Sequence, residues 1–291
     1  MLANFQQQFI NTSQARINTF IGGSGEPLLL LHGYPQNYFM WRKICDRLAE
    51  DFTVVITDLR GYGDSEKLPV TPDSRHYSKR AMARDQVEVM AELGYHRFAL
   101  VGHDRGARVS HRLALDHSQA VTKLALLDIV PTYELYKGSD CEFATAYYHW
   151  FWLIQPYPFP ETLISGKAEY YLRHCLNSWS KIPESFEPEA IQEYLRAFCK
   201  QEAIASTCED YRAAAGMDLI HDGEDLERKI SCPLLVLWGS QGIIGKKYDI
   251  KQIWQSKAEK VSGKAINCGH FLPEEAPDDT YKALRDFLIL S

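Results

Sequence analysis

Phe98-Ala99-Leu100-Val101-Gly102-His103-Asp104-Arg105-Gly106-Ala107-Arg108 is the segment around which the chain is organised. An apolar run stops at a glycine, a single carboxylate follows, and a second glycine opens a segment that reads as helix through Leu115. The pattern predicts a strand, a sharp turn and a helix, with Asp104 at the apex. That shape fits a nucleophile elbow, whose usual form is Gly-x-Ser-x-Gly. Gly102 and Gly106 let strand and helix pass closely and tolerate strained dihedrals. Asp in place of Ser changes the chemistry, because a carboxylate nucleophile suits displacement at a saturated carbon and leaves an ester on the enzyme. Taken alone, Gly-x-Asp-x-Gly also fits an ordinary surface turn, so the flanking sequence has to separate the two.

Upstream, residues 5–10 and 15–21 read as two short strands, and residues 27–31 form a continuous apolar run of the kind buried on both faces. That run leads into His32-Gly33-Tyr34-Pro35; helical spacing follows at 41–48, and another apolar run at 52–56. The glycine-rich loop 58–65 lacks the Lys-Ser/Thr of a P-loop and is not Gly-x-Gly-x-x-Gly, which argues against nucleotide binding. Residues 77–93 read as helix and 123–130 as a buried strand closed by Pro131. From 132 to 212 the alternation stops, and aromatic-rich helical segments take over at 143–153, 169–179, 188–200 and 204–215. Alternation resumes at 233–239; a short strand at 264–267 runs into Cys268-Gly269-His270, and a helix over 277–290 closes the chain. The expectation is an α/β core of residues 1–131 and 213–291, a mostly parallel sheet flanked by helices, with a helical cap at 132–212. Ligands of such sheets bind beyond the carboxyl ends of the strands. His32, Asp104, Asp128 and His270 all fall at or just after expected strand ends.

Composition narrows the class. A net charge of -6 without a basic run argues against a nucleic-acid partner. Seven scattered cysteines, none in Cys-x-x-Cys, read as free thiols in a reducing cytoplasm. The polar N-terminus shows no signal pattern, and no apolar run reaches membrane-spanning length. A cytoplasmic protein with no membrane or nucleic-acid partner is expected.

With His32-Gly33-Tyr34-Pro35, the 58–65 loop, the Asp104 elbow and Gly269-His270, the chain resembles the α/β-hydrolase superfamily over nearly its whole length. Within it, the chain resembles fluoroacetate dehalogenases, through His32-Gly33-Tyr34-Pro35-Gln36, the Gly102–Arg108 elbow with its two arginines, Leu127-Asp128-Ile129-Val130-Pro131 and the pair His149-Trp150. The resemblance implies an α/β-hydrolase fold and hydrolysis of small 2-haloacids to 2-hydroxyacids, in a homodimer with no cofactor or metal.

Residue roles follow as expectations. Asp104, with an unperturbed pKa of about 3.9, is ionised at neutral pH and needs no base to attack. His270 is expected to take a proton from the water that hydrolyses the Asp104 ester. Many relatives carry the third triad member after the 234–238 strand, but Gly239-Ser240-Gln241-Gly242-Ile243-Ile244-Gly245 holds no carboxylate. Asp128, at the end of the preceding strand, is expected to orient His270 instead. Its plainer role would be to cap a turn. Arg105 and Arg108, three apart at a helix start, share a face beside Asp104 and can grip a substrate carboxylate; the plainer alternative is pairing with protein acids. The resemblance assigns His149, Trp150 and Tyr211 to a halide pocket, each with a donor to offer, and Trp179 is a further lining candidate. The backbone N–H groups of Tyr34 and Arg105 are expected to form the oxyanion hole. An epoxide hydrolase using the same triad is the competing enzyme, against which Arg105 counts. A non-catalytic ligand-binding member would be free to lose Asp104, His270 or Asp128, and all three are present.

Overall fold

The structure, a computed structural model, describes residues 2–290. Eight strands form one sheet: β1 (Gln6–Asn11), β2 (Arg16–Gly23), β3 (Glu26–Leu31), β4 (Phe52–Thr57), β5 (Phe98–His103), β6 (Val121–Leu127), β7 (Leu234–Gly239) and β8 (Val261–Ile266). Their order is β1-β2-β4-β3-β5-β6-β7-β8. The β1–β2 hairpin is antiparallel and joins the sheet antiparallel to β4; every pairing from β4 to β8 is parallel. The apolar runs occupy the middle. Leu29 lies opposite Val55 on one side and Leu100 on the other, and every residue of β4 and β5 is buried. Helices cover both faces, which is why these strands carry no polar alternation.

The chain leaves β3 for β4 on one side and returns to β5 on the other. The β3–β5 boundary is therefore the topological switch point, where open α/β sheets place their ligands. His32-Gly33-Tyr34 leaves β3 there, and Asp104 leaves β5. Asp104 has φ 45° and ψ -112°, and the helix Arg105–Asp116 starts at the next residue. The turn is possible because its neighbours are small. A Cβ on Gly106 would lie 2.3 Å from the His32 carbonyl oxygen, and one on Gly102 would lie 2.4 Å from Ser110 Oγ.

Several boundaries differ from expectation. β6 stops at Leu127, because Asp128 turns to φ 55° and leaves the strand. β8 begins three residues earlier than expected, at Val261, where an edge strand's half-exposed pattern hides it. The helix expected over 143–153 is two short ones, Cys141–Ala146 and Tyr148–Trp152, broken at Tyr147. The 41–48 segment is a 3-10 turn, Tyr38–Trp41, followed by Cys45–Leu48. Between β6 and β7 the chain forms helices without a strand, and they continue past residue 212 through Met217–Glu224. Among the described residues, no helix is long and apolar enough to cross a membrane.

Adding a methyl group at the elbow tests this packing. Gly106→Ala forces a carbon against the His32 carbonyl and should cost about 1–3 kcal/mol in chemical denaturation, the usual range for overpacking.

Candidate active site

Asp104 sits at the C-terminal end of β5 with its carboxylate turned into a cavity of about 380 Å³. The Tyr34 backbone N–H donates to Asp104 Oδ2 at 3.0 Å. The amide of Arg105 belongs to the first helical turn, where N–H groups lack intrahelical acceptors and the helix dipole favours negative charge. Burial works to raise the Asp104 pKa, but the nearby positive charges of His270, Arg105 and Arg108 outweigh it and hold the carboxyl below its ordinary value. The group at the elbow is therefore an anion.

His270 arrives from the loop after β8. Its Nδ1 is 2.6 Å from Asp128 Oδ2, and the other Asp128 oxygen accepts from the Gly239 N–H at 3.0 Å. The pairing of strands explains why an acid from β6 serves here. β6 lies beside β7, the Asp128 N–H donates to the Leu237 carbonyl at 2.8 Å, and the positive φ then swings the carboxylate across the end of β7. Burial pushes the His270 pKa down, yet the hydrogen bond and charge of Asp128 outweigh it, so the imidazole titrates above its ordinary value. Asp104, Asp128, Tyr147, His149, Trp179 and His270 line one cavity, with Tyr148, His174, Lys181 and Ile243 also in its walls. The lining includes Trp179 but not Arg105, Arg108, Trp150 or Tyr211.

Those four are buried together beside it. Arg108 stacks on the Trp150 ring with its guanidinium carbon 4.5 Å from the centroid; Arg105 stacks at 5.9 Å on Trp150 and at 4.2 Å on Tyr211. The two arginines are not equally free. Arg105 is locked onto Asp210, a neighbour of Tyr211 on the helix Gln201–Ala215: Nε and Nη2 each donate to one carboxylate oxygen at 2.8 Å. Asp210 also accepts from Tyr62 and pairs with Lys79, which pairs in turn with Asp218. Burial alone would raise the Asp210 pKa, but Arg105 and Lys79 hold it far below the ordinary carboxylate value. The charge of Arg105 is thus matched inside the protein. Arg108 donates through Nη1 to the Val130 carbonyl and Thr132 Oγ1, both at 3.0 Å, and among the described residues to no acid. Two free guanidiniums side by side are not what the fold contains. It contains one committed and one uncommitted charge.

Four buried nitrogens here have no hydrogen-bond partner among the described residues: Arg105 Nη1, Arg108 Nε, His149 Nδ1 and Trp150 Nε1. Burial pushes the His149 pKa down to about 3, so its ring is neutral. Among the described residues no group of acids, histidines and cysteines is arranged to hold a metal ion. Sequence reasoning did not single out Asp210 or Tyr147. Asp210 pairs with the elbow only after a distant helix docks, and Tyr147 was hidden inside what reads as one continuous helix.

The alpha/beta hydrolase fold family matches residues 26–277. A fluoroacetate dehalogenase of Burkholderia sp is 43% identical over 99% of this chain and 95% of its own length. A soluble epoxide hydrolase of Corynebacterium sp. (strain C12) is 39% identical over 92% of this chain and 93% of its own length. The crystal structure of an α/β-hydrolase-type protein from Nostoc sp PCC 7120 covers 100% of both chains at a TM-score of 0.99 with 59% identity. An eight-stranded sheet with a strained acidic elbow, and relatives aligned over nearly the full length, place the chain in the α/β-hydrolase superfamily, within its dehalogenase group.

Proposed function

We propose that this hydrolase converts small 2-haloacids, fluoroacetate among them, to 2-hydroxyacids through an ester on Asp104. The observation that carries the reading is the set of unpartnered buried nitrogens around Arg105, Arg108, His149 and Trp150. An unmet buried donor costs about 1–3 kcal/mol, so several together favour a ligand rich in acceptors. A haloacid brings a carboxylate and a halogen that becomes an anion. A neutral epoxide brings one oxygen and leaves the Arg108 charge unmatched.

In the first step an Asp104 oxygen attacks the carbon bearing the halogen. The new C–O bond takes the place of the carbon–halogen bond, and the halide leaves with the electron pair. Arg108, assisted by Arg105 Nη1, holds the substrate carboxylate so that the neighbouring carbon faces Asp104. His149 and Trp150 supply hydrogen bonds as charge develops on the halogen, and Tyr211 adds a hydroxyl. In the second step His270 takes a proton from water, whose oxygen adds to the Asp104 acyl carbon. The Tyr34 and Arg105 amides receive the negative charge on the carbonyl oxygen. Collapse releases the hydroxyacid, protonated by His270, and leaves Asp104 as a carboxylic acid, whose proton passes to solvent to restore the carboxylate. Asp128 fixes the tautomer of His270 and stabilises its charged form.

Fluoride release from fluoroacetate, followed with an ion-selective electrode beside a panel of chloro- and bromo-acids and a styrene-oxide-type epoxide, tests the reading. Halide release should occur, and turnover of the epoxide alone would replace the haloacid reading. Asp104→Ala should abolish release, whereas His270→Asn should stop at the ester, seen as a mass increase on the Asp104 peptide. Arg108→Gln should raise KM for fluoroacetate about 10- to 100-fold, the equivalent of one hydrogen bond to a charged group at about 1.5–3 kcal/mol. Ester hydrolysis requires neutral His270, so its rate should fall as pH drops through the raised His270 value. Asp128→Asn removes the charge that raises it, so that acid limb should move to lower pH while the maximal rate falls.

A further inference from the structure

Glu275 ends the short helix Leu272–Glu275, five residues beyond the proposed base. Its two oxygens take four backbone N–H groups. Oε2 accepts from Gly269 at 2.8 Å, Lys181 at 2.7 Å and Ile182 at 3.1 Å, and Oε1 accepts from Phe271 at 2.8 Å. Among the described residues no Lys, Arg or His side chain forms a salt bridge with it, so these N–H groups are what hold the carboxylate. Two donors flank His270 in the loop after β8. The other two belong to the segment following the helix Ala168–Trp179, which abuts that loop and also lines the cavity.

The loop is fastened twice more, once to the wall and once to the end of β5. The His270 N–H donates to the Trp179 carbonyl at 3.1 Å, and His103 Nε2 lies 2.8 Å from the His270 carbonyl oxygen. The contact is so close that a Cβ on Gly269 would sit 2.6 Å from the Trp179 carbonyl and 2.9 Å from Glu275 Oε2. Trp179 and Lys181 are cavity wall. One carboxylate thus joins the loop bearing the proposed base to the adjoining cavity wall.

We propose that Glu275 is a positioning residue for hydrolysis of the Asp104 ester, holding the His270 loop and the wall at residues 179–182 as one unit. It does not touch the reacting atoms. Asp104 is placed by β5, the elbow and the Tyr34 amide, none of which Glu275 contacts, so the first step does not depend on it. The second step needs His270 held in line with a water and the ester carbonyl, and displacement of about 1 Å in such geometry can cost about a hundredfold. The proposal rests on the ester mechanism given above.

Glu275→Gln keeps length and loses charge; Glu275→Asp keeps charge and loses reach. Rapid-quench fluoride measurements and intact mass on the full-length chain, with fluoroacetate as probe, separate the two steps. In both variants the fluoride burst should stay within about threefold of the unmodified protein, while ester decay slows about 10- to 100-fold and the adduct accumulates. The pH profile adds a second readout. The carboxylates of Asp128, Asp104 and Glu275 and the imidazoles of His103 and His149 act on His270. Removing one negative charge in Glu275→Gln should move the acid limb of ester decay to lower pH, and Glu275→Asp should leave it nearer its place. Equal slowing of both steps, or an ester that decays at the unmodified rate in either folded variant, would overturn the proposal. If only one variant folds, it carries the test; failure of both to fold would assign Glu275 to the fold alone. Failure of the ester mechanism itself would show separately, as no adduct in His270→Asn, where Glu275 is intact.

Discussion

Everything in the site is referred to the close crossing of two chain segments at the β3–β5 boundary. Asp104 can stand at φ 45° only because Gly106 and Gly33 carry no side chain there: a Cβ on Gly33 would lie 2.6 Å from the Asp104 Cβ. A non-glycine residue in this region is strained by about 1–3 kcal/mol, and such strain persists only where the surroundings over-determine it. The surroundings here are four central strands, β4, β3, β5 and β6, paired in parallel. What the strain achieves is exposure of one carboxylate to the cavity, with a backbone N–H from β3's exit loop already on it.

Charge is distributed around that carboxylate in a graded way. Arg105, although adjacent in sequence, is neutralised by Asp210, and Asp210 is held in turn by Lys79, which also pairs with Asp218. This chain of alternating charges joins the elbow helix and the helix Lys79–Glu92 to the helices Gln201–Ala215 and Met217–Glu224. A buried pair of this kind is costly to break from one side, so removing one member would leave an uncompensated charge between these helices. Arg108 is left as the guanidinium without an acid of its own, and it stacks on Trp150. The two arginines of the elbow helix are therefore unlike: Arg105 is paired with an acid and keeps one N–H without a partner among the described residues, whereas Arg108 is bonded to neutral oxygens.

The proposed base is placed by the edge of the sheet. His270 follows β8, its orienting acid follows β6, and β7 lies between, contributing the Gly239 N–H that steadies the acid. A glycine-rich stretch after β7 leaves room for this arrangement. Gly239 approaches the Gly269 carbonyl so closely that a Cβ would fall 1.8 Å from it. The absence of a carboxylate after β7 and the presence of one after β6 are therefore two sides of one packing solution.

Much of this was written in local sequence. Apolar runs buried on both faces announced β3, β4 and β5, and the spacing of Gly102, Asp104 and Gly106 announced the elbow, because both depend on a residue and its immediate neighbours. The Asp128–His270 approach could be expected only through the family resemblance, since many relatives carry an acid after the 234–238 strand and this chain does not. Local pattern could not show that Tyr147 breaks a helix, or that β8 is an edge strand beginning at Val261. Nor could it show that Arg105 is already spoken for: Asp210 lies 105 positions away and meets it only when the helical layer docks. The same holds for Glu275 and the amides of Lys181 and Ile182. Strand identity and turn chemistry are set by short-range sterics, whereas the pairing of buried charges and donors is set by which distant segments the folded chain brings together.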